Sequence, residues 1–171
     1  MARLEIGPDI DAYMKQLESF GMDEPEIAKK IVMVGAQPVA DAIRNELNKI
    51  PEEKFRQLKQ NERFEGLPRS QKKDLLDNLG ITPTGVDKEG NTNVKVGWHG
   101  YGSYKSRKYP RGLPNALLAR AIESGSSVRS KAPFVRPAIN KSREKAIDEM
   151  QKTINEEANK YNYNGGKIYA L

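Results

Sequence analysis

The chain has no cysteine among its 171 residues, one histidine and one tryptophan. Without thiols there are no disulfides, no thiolate nucleophile, no zinc ribbon and no thiolate-ligated iron–sulfur cluster. His99 is the single imidazole. A histidine-rich metal site therefore cannot form within one chain, and a Ser-His-acid triad would depend wholly on that residue. Long apolar runs are also missing. No stretch approaches the roughly 18 apolar residues of a membrane span, and Met1 to Ile6 lacks the apolar core of a signal peptide, so the expectation is a soluble protein of the cytoplasm. With 37% hydrophobic residues, a chain of this length suits one domain with a sizeable core that needs no staple.

What is present is charge, unevenly placed. The net charge is +6. Between His99 and Lys145 eleven lysines and arginines face two glutamates, a local +9 that leaves −3 for the rest of the chain. A positive stretch on a near-neutral body points to a polyanion, an acidic partner surface or a headgroup layer. It lacks the amphipathic helical pattern that lipid binding needs, so no membrane partner is expected.

Periodicity outlines an α+β domain over residues 1–161. Leu4 and Ile6 read as a short strand, and Ile10, Tyr13, Met14, Leu17 and Phe20 as one helical face. Asp23 and Glu26 form a capping box for the next helix, whose stripe runs through Ile27, Ile31, Val34, Val39, Ile43 and Leu47. Gly35 and Pro38 predict a kink or break near residues 34–38. Residues 51–74 are charged, with sparse anchors at Phe55, Leu58, Phe64 and Leu67, and read as a short surface helix and a loop. Leu75, Leu76 and Leu79 make a further helical turn ending at Gly80. Alternation of Val94, Val96 and Trp98 predicts the second strand of a hairpin near 81–98, with Pro83 confining the first to an edge or a bulge. Residues 99–112 and 126–132 read as mobile basic loops. Leu117, Leu118, Ala121 and Ile122 fit a helix, with a strand over 116–123 as the competing reading. A long helix from Pro137 to about Tyr161 follows, and 162–171 reads as a flexible tail. The fold expected is a small antiparallel sheet packed by a kinked N-terminal helix and a long C-terminal one.

No catalytic constellation emerges. His99 has no cluster of ligands or nucleophile nearby, and Glu52-Glu53, Glu123 and Glu156-Glu157 read as solvated faces. Gly97 to Gly102 is glycine-rich but carries no lysine at P-loop spacing and no dinucleotide fingerprint. No catalytic, cofactor or metal residue is assigned. Tyr101 to Arg111 mixes tyrosines with cations, as where bases stack on rings and phosphates meet charge. Lys105, Arg107, Lys108 and Arg111, with Arg129 and Lys131 from the second loop, are candidates to face a polyanion. The bland alternative is a solvated loop whose charge aids solubility.

Asp74 to Pro83, Val94 to Trp98, Pro114 to Ser126 and Lys131 to Ala138 together resemble the phage minor tail-component family, the tail-completion or head–tail joining proteins of long-tailed bacteriophages. The most specific part is Glu-x-Gly-Ser at Glu123–Ser126, a short basic loop, then Pro-Phe-x-x-Pro-Ala at Pro133–Ala138. The likeness covers most of residues 72–150 and the first 50 loosely, and it departs at Lys72-Lys73 and Asn78. It implies a non-enzymatic virion subunit of the neck or tail end, present in the host cytoplasm during assembly. Such a subunit forms a hexamer-like ring with itself, contacts connector or tail-tube proteins and meets passing DNA nonspecifically. Glu123, Gly125, Pro133, Phe134 and Pro137 are then expected at a subunit or partner interface. A free nucleic-acid-binding module using residues 101–111 is the rival reading.

Overall fold

A computed structural model of the protein describes residues 24–163. The expected strand at Leu4–Ile6, the helix over Ile10–Phe20, Asp23 and residues 164–171 lie outside the described residues. The elements are helix α1 (Glu24–Lys49), helix α2 (Arg69–Asp77), strands β1 (Leu79–Ile81), β2 (Gly85–Val86), β3 (Thr92–Asn93) and β4 (Val96–Trp98), helix α3 (Asn115–Ser124) and helix α4 (Val135–Tyr163). The fold is α+β.

A hairpin forms near the expected residues, but Val94 falls between its paired stretches, and Leu79 and Gly80, expected to close a helical turn, stand in its first strand because Trp98 and Gly97 pair with them. β1 pairs antiparallel with β4, Leu79 opposite Trp98 and Ile81 opposite Val96. β2 pairs with β3 farther out, Val86 opposite Thr92. Pro83 falls in the gap between the two paired stretches, where its missing N–H costs no ladder bond. Thr82 closes that gap from both sides, donating its N–H to the Lys95 carbonyl at 2.8 Å and accepting the Lys95 N–H on its hydroxyl at 2.9 Å. At the tip the Asp87 carboxylate accepts the backbone N–H groups of Glu89 and Asn91, and Gly90 takes the positive φ of 87° that the turn needs.

α1 and α4 run antiparallel, as their contacts show: Glu46 pairs with Lys141 near one end and Lys30 with Glu157 near the other. Between these pairs Ile31, Met150 and Ile154 form a small core of their own. α4 has 29 residues, about 43 Å at 1.5 Å per residue. It continues to Tyr163, past the expected end.

The break expected near residues 34–38 is absent, because α1 is continuous over 26 residues with Pro38 inside it. Proline removes one helical hydrogen bond, but Ile31, Val39, Ile43 and Leu47 bury on both sides of it and hold the helix to the body. Gly35 is a packing residue rather than a stop. A Cβ there would stand 2.5 Å from the Met150 sulfur, so glycine lets α4 approach. Buried Ala36 and Ala40 on α1 and Ala138 and Ala146 on α4 continue the close fit.

The main core gathers Ile43, Leu47, Leu75, Leu79, Leu118, Ile122, Ala138 and Ala146 from every helix and β1, with Leu67 and Phe134 from the segments that lead into α2 and α4. Trp98 reaches it from β4, its ring 5.6 Å from that of Phe134 and its indole N–H donating to the Leu75 carbonyl at 2.9 Å.

The surface helix expected after residue 51 does not form. Pro51 and Glu53 instead exchange backbone hydrogen bonds with Leu67, and Phe64 does so with Val128 and Ser130. Phe64 and Leu67 are both buried, and an extended path is what brings them inward from a segment with too few anchors for a helical face. Helix begins only after Pro68, at Arg69. At 115–124 the helix reading prevails over the strand.

Gly35→Val should lower stability by about 1–3 kcal/mol in urea denaturation, since overpacking against Met150 outweighs any gain in helix propensity.

Candidate functional site

The Glu123–Ala138 motif closes into a joint. The Glu123 carboxylate accepts the N–H groups of Phe134 (2.7 Å), Val135 (2.8 Å) and Arg136 (3.2 Å), the donors that open α4. These have no partner within the helix, so an anion here satisfies them and complements the helix dipole. Gly125 ends α3 with φ 78° and lies against Lys131, where a Cβ would stand 3.2 Å from the backbone nitrogen. Ala132 then donates to the Ile122 carbonyl at 2.9 Å. Pro137 sits in the first turn of α4, where its missing N–H costs nothing. Phe134 is 1% exposed, so its expected place at an interface is corrected: it anchors this chain's own core. Glu123 is likewise spent on the joint, whereas Pro133 is exposed.

Arg129 is corrected too. It is 7% exposed and faces inward, donating to the Gly66 carbonyl at 2.5 Å and the Gln71 side-chain oxygen at 3.1 Å. Its guanidinium also lies over the Phe64 ring, 5.7 Å from the centroid. Burial pushes its pKa down, opposed by the charge of Glu53. Glu53 reaches Gly66 from the other side, accepting the N–H groups of Glu65 and Gly66 at 2.7 and 2.9 Å. Those two backbone donors, with Arg56, hold its carboxyl below the usual range. Glu53 closes the 51–67 segment on itself, and Arg129 fastens it to the body.

Beside this clamp lies a groove of about 510 Å³. Phe55 stacks on Tyr104 at 5.1 Å and meets the edge of Phe64 at 5.7 Å. Leu117 and Val128 complete an apolar rim of side chains that stay solvent-exposed, as do Phe55 and Tyr104. Two cations, Arg56 and Arg129, line the groove, and no carboxylate does. A contiguous apolar surface of this kind marks an interaction site. Sequence reasoning missed it, because its parts come from four separate segments.

Residues 99–112 form an irregular loop that is fastened at several points. The Asp74 carboxylate accepts the Ser103 N–H and hydroxyl at 2.7 and 2.8 Å, and Gly102 donates to the Leu113 carbonyl at 2.8 Å. Gly112, at φ 110°, passes so close to the Gly102 carbonyl that no side chain fits. Lys105, Arg107, Lys108 and Arg111 are exposed, and among the described residues none has a carboxylate in salt-bridge range. Arg111 lies over Tyr101 (5.0 Å) and Lys108 over Tyr109 (5.6 Å), so both rings are engaged within the loop. Lys131 is exposed on the second loop, which closes through Ser126 and Arg129.

His99 is exposed at the end of β4, and its backbone carbonyl accepts from the Asn115 amide at 2.9 Å. Among the described residues no three His, Asp or Glu side chains cluster as metal ligands, and no helix is long and apolar enough to cross a membrane. No family model, curated protein or solved structure matches the chain.

Glu123→Ala should cost about 1–3 kcal/mol in urea denaturation, the range for losing a helix cap whose acceptor is charged. Acid should act on the 51–67 clamp. The Glu53 carboxyl is depressed in the folded state, so its contribution is present above the unfolded value of about 4.3 and is lost as pH falls below it. Thermal unfolding between pH 6 and pH 3 should therefore show a smaller acid-induced drop in Tm for Glu53→Gln than for the wild type.

Proposed function

We propose that this chain is a structural subunit of a phage neck or tail end, forming a homo-oligomeric ring that completes the tail and joins it to the head. Its partners would be further copies of itself, in a hexamer-like ring, and connector or tail-tube proteins. Its place would be the virion, after assembly in the host cytoplasm. The observation that carries this reading is the open aromatic groove of Phe55, Tyr104, Leu117 and Val128, a surface suited to a protein partner. It stands beside the Glu123–Ala138 joint, whose sequence bears the family likeness. A subunit held in a ring needs such a fixed angle between elements more than it needs reactive groups.

A nucleic-acid-binding module remains the second reading. Lys105, Arg107, Lys108 and Arg111 favour it, being exposed cations with no salt-bridge partner among the described residues. Within a ring the same cations would meet passing DNA without reading its sequence.

Native mass spectrometry over a range of concentrations separates the two. The ring reading expects closed oligomers of one stoichiometry, with at most weak binding of duplex DNA. A chain that stays monomeric and binds DNA with an affinity falling steeply with salt would instead be the module.

A further inference from the structure

A ring joined head to tail needs two different, complementary surfaces on every copy. The groove is a concave surface, and the β2–β3 arm carries a convex one. Val86 is the most exposed large apolar residue among those described, at 65%, and it sits at the outer end of the hairpin. A Cβ placed at Gly85 or Gly90, on either side of it, would meet nothing within 4 Å. Two-residue strands are too short to bury a core of their own, so the arm's form rests on its turn, held by the Asp87 carboxylate, and on half-buried β3, which lies against α1 and leaves β2 outward. The arm holds a branched apolar side chain out in water on a defined backbone. It shares no residue with the groove lining.

Charge matches the two surfaces as well. The turn after Val86 carries Asp87, Lys88 and Glu89, an excess of negative charge. The groove is lined by Arg56 and Arg129 without a carboxylate. Arg56 has Glu53 and Glu62 beside it, whereas the hydrogen-bond partners of Arg129 are a carbonyl and an amide oxygen, both neutral. Glu53 acts on Arg129 only through space, so a buried cation whose direct partners are both neutral gains from a further acidic group arriving from outside.

We propose that a second copy of this chain occupies the groove: Val86 of one subunit seats among Phe55, Tyr104, Leu117 and Val128 of the next, with Glu89 turned toward Arg129. The inference rests on the ring reading and names its contact. One seated hairpin tip buries far less than the roughly 1,000 Å² of a stable interface, so the contact sets which faces meet, and the test reads proximity rather than affinity.

The absence of cysteine makes that test clean. Val86→Cys and Val128→Cys are prepared as separate full-length variants, one carrying a mass tag, then mixed and oxidised. A disulfide forms only where the two Cβ atoms can come within about 4.5 Å. The expected result is a mixed dimer several-fold more abundant than that from Val86→Cys with Asn155→Cys, a control on the exposed side of α4. The double variant Val86→Cys/Val128→Cys should give a ladder of covalent oligomers. Mixed dimer at the control level would overturn the proposal. So would preferential linking of Val128→Cys to Ile168→Cys, which would give the groove to the C-terminal segment, or closure of the double variant on itself as a compact monomer. Native mass spectrometry of the wild type is read separately. Rings without the cross-link overturn this contact and leave the ring reading standing, whereas the cross-link without closed rings supports the contact and removes the ring.

Discussion

The Glu123 carboxylate is the point on which the rest of the molecule turns. By gathering three backbone donors at the start of α4, it fixes that helix to the end of α3. With the joint set, Phe134 drops into the core against Trp98, and Trp98 is oriented by its hydrogen bond to Leu75 on α2. One anion thus relates three helices and the inner pair of strands. The course of α4 follows from its first turn, and that course carries Met150 onto Gly35 of α1. The two proline residues add stiffness, since Pro133 presets an extended approach for the residue before it and Pro137 a helical φ just inside.

Much of this was legible in the sequence wherever a pattern is local. Val94, Val96 and Trp98 alternate, and a strand forms through Val96–Trp98. The stripe from Ile139 to Ala158 repeats at helical spacing, and a helix forms there. Gly35 and Pro38 were misleading for a shared reason. Local propensity treats both as interruptions, but the decisive contacts of α1 are with α4, more than a hundred positions later. Residues 51–68 were misread because their order comes from backbone pairing with Leu67 and Val128, and pairing across the chain leaves no periodic trace. Arg129 looked like any other loop cation. Nothing in its neighbours indicates that Gly66 and Gln71 would close around it.

The aromatic residues divide along the same line. Tyr101 and Tyr109 sit among basic residues and are held by cations of their own loop, as their composition suggests. Tyr104 lies in the same loop but stacks on Phe55, from a different part of the chain. The basic loop is therefore also one wall of an apolar surface. Charge and apolar area, separable on paper, adjoin in space, so a protein partner seated in the groove and a polyanion drawn to the loop would meet along one edge.

The pairing of Lys30 with Glu157 joins positions separated by 127 residues. Helices α2 and α3 and the whole hairpin lie between them along the chain, so this contact forms only once the chain has doubled back on itself. Bringing such distant segments together carries a loop-closure cost that is recovered only on contact, and chains with many non-local contacts fold slowly. Among the described residues the far end of the helix pair is held by Ile31, Met150 and Ile154, with Ile27 and Val32 packed against them, a smaller cluster than the main core and so the easier one to open. Opening there would leave the main core, where the two helices also meet through Ile43, Leu47, Ala138 and Ala146, in place while baring Ile31, Met150 and Ile154 to any copy nearby.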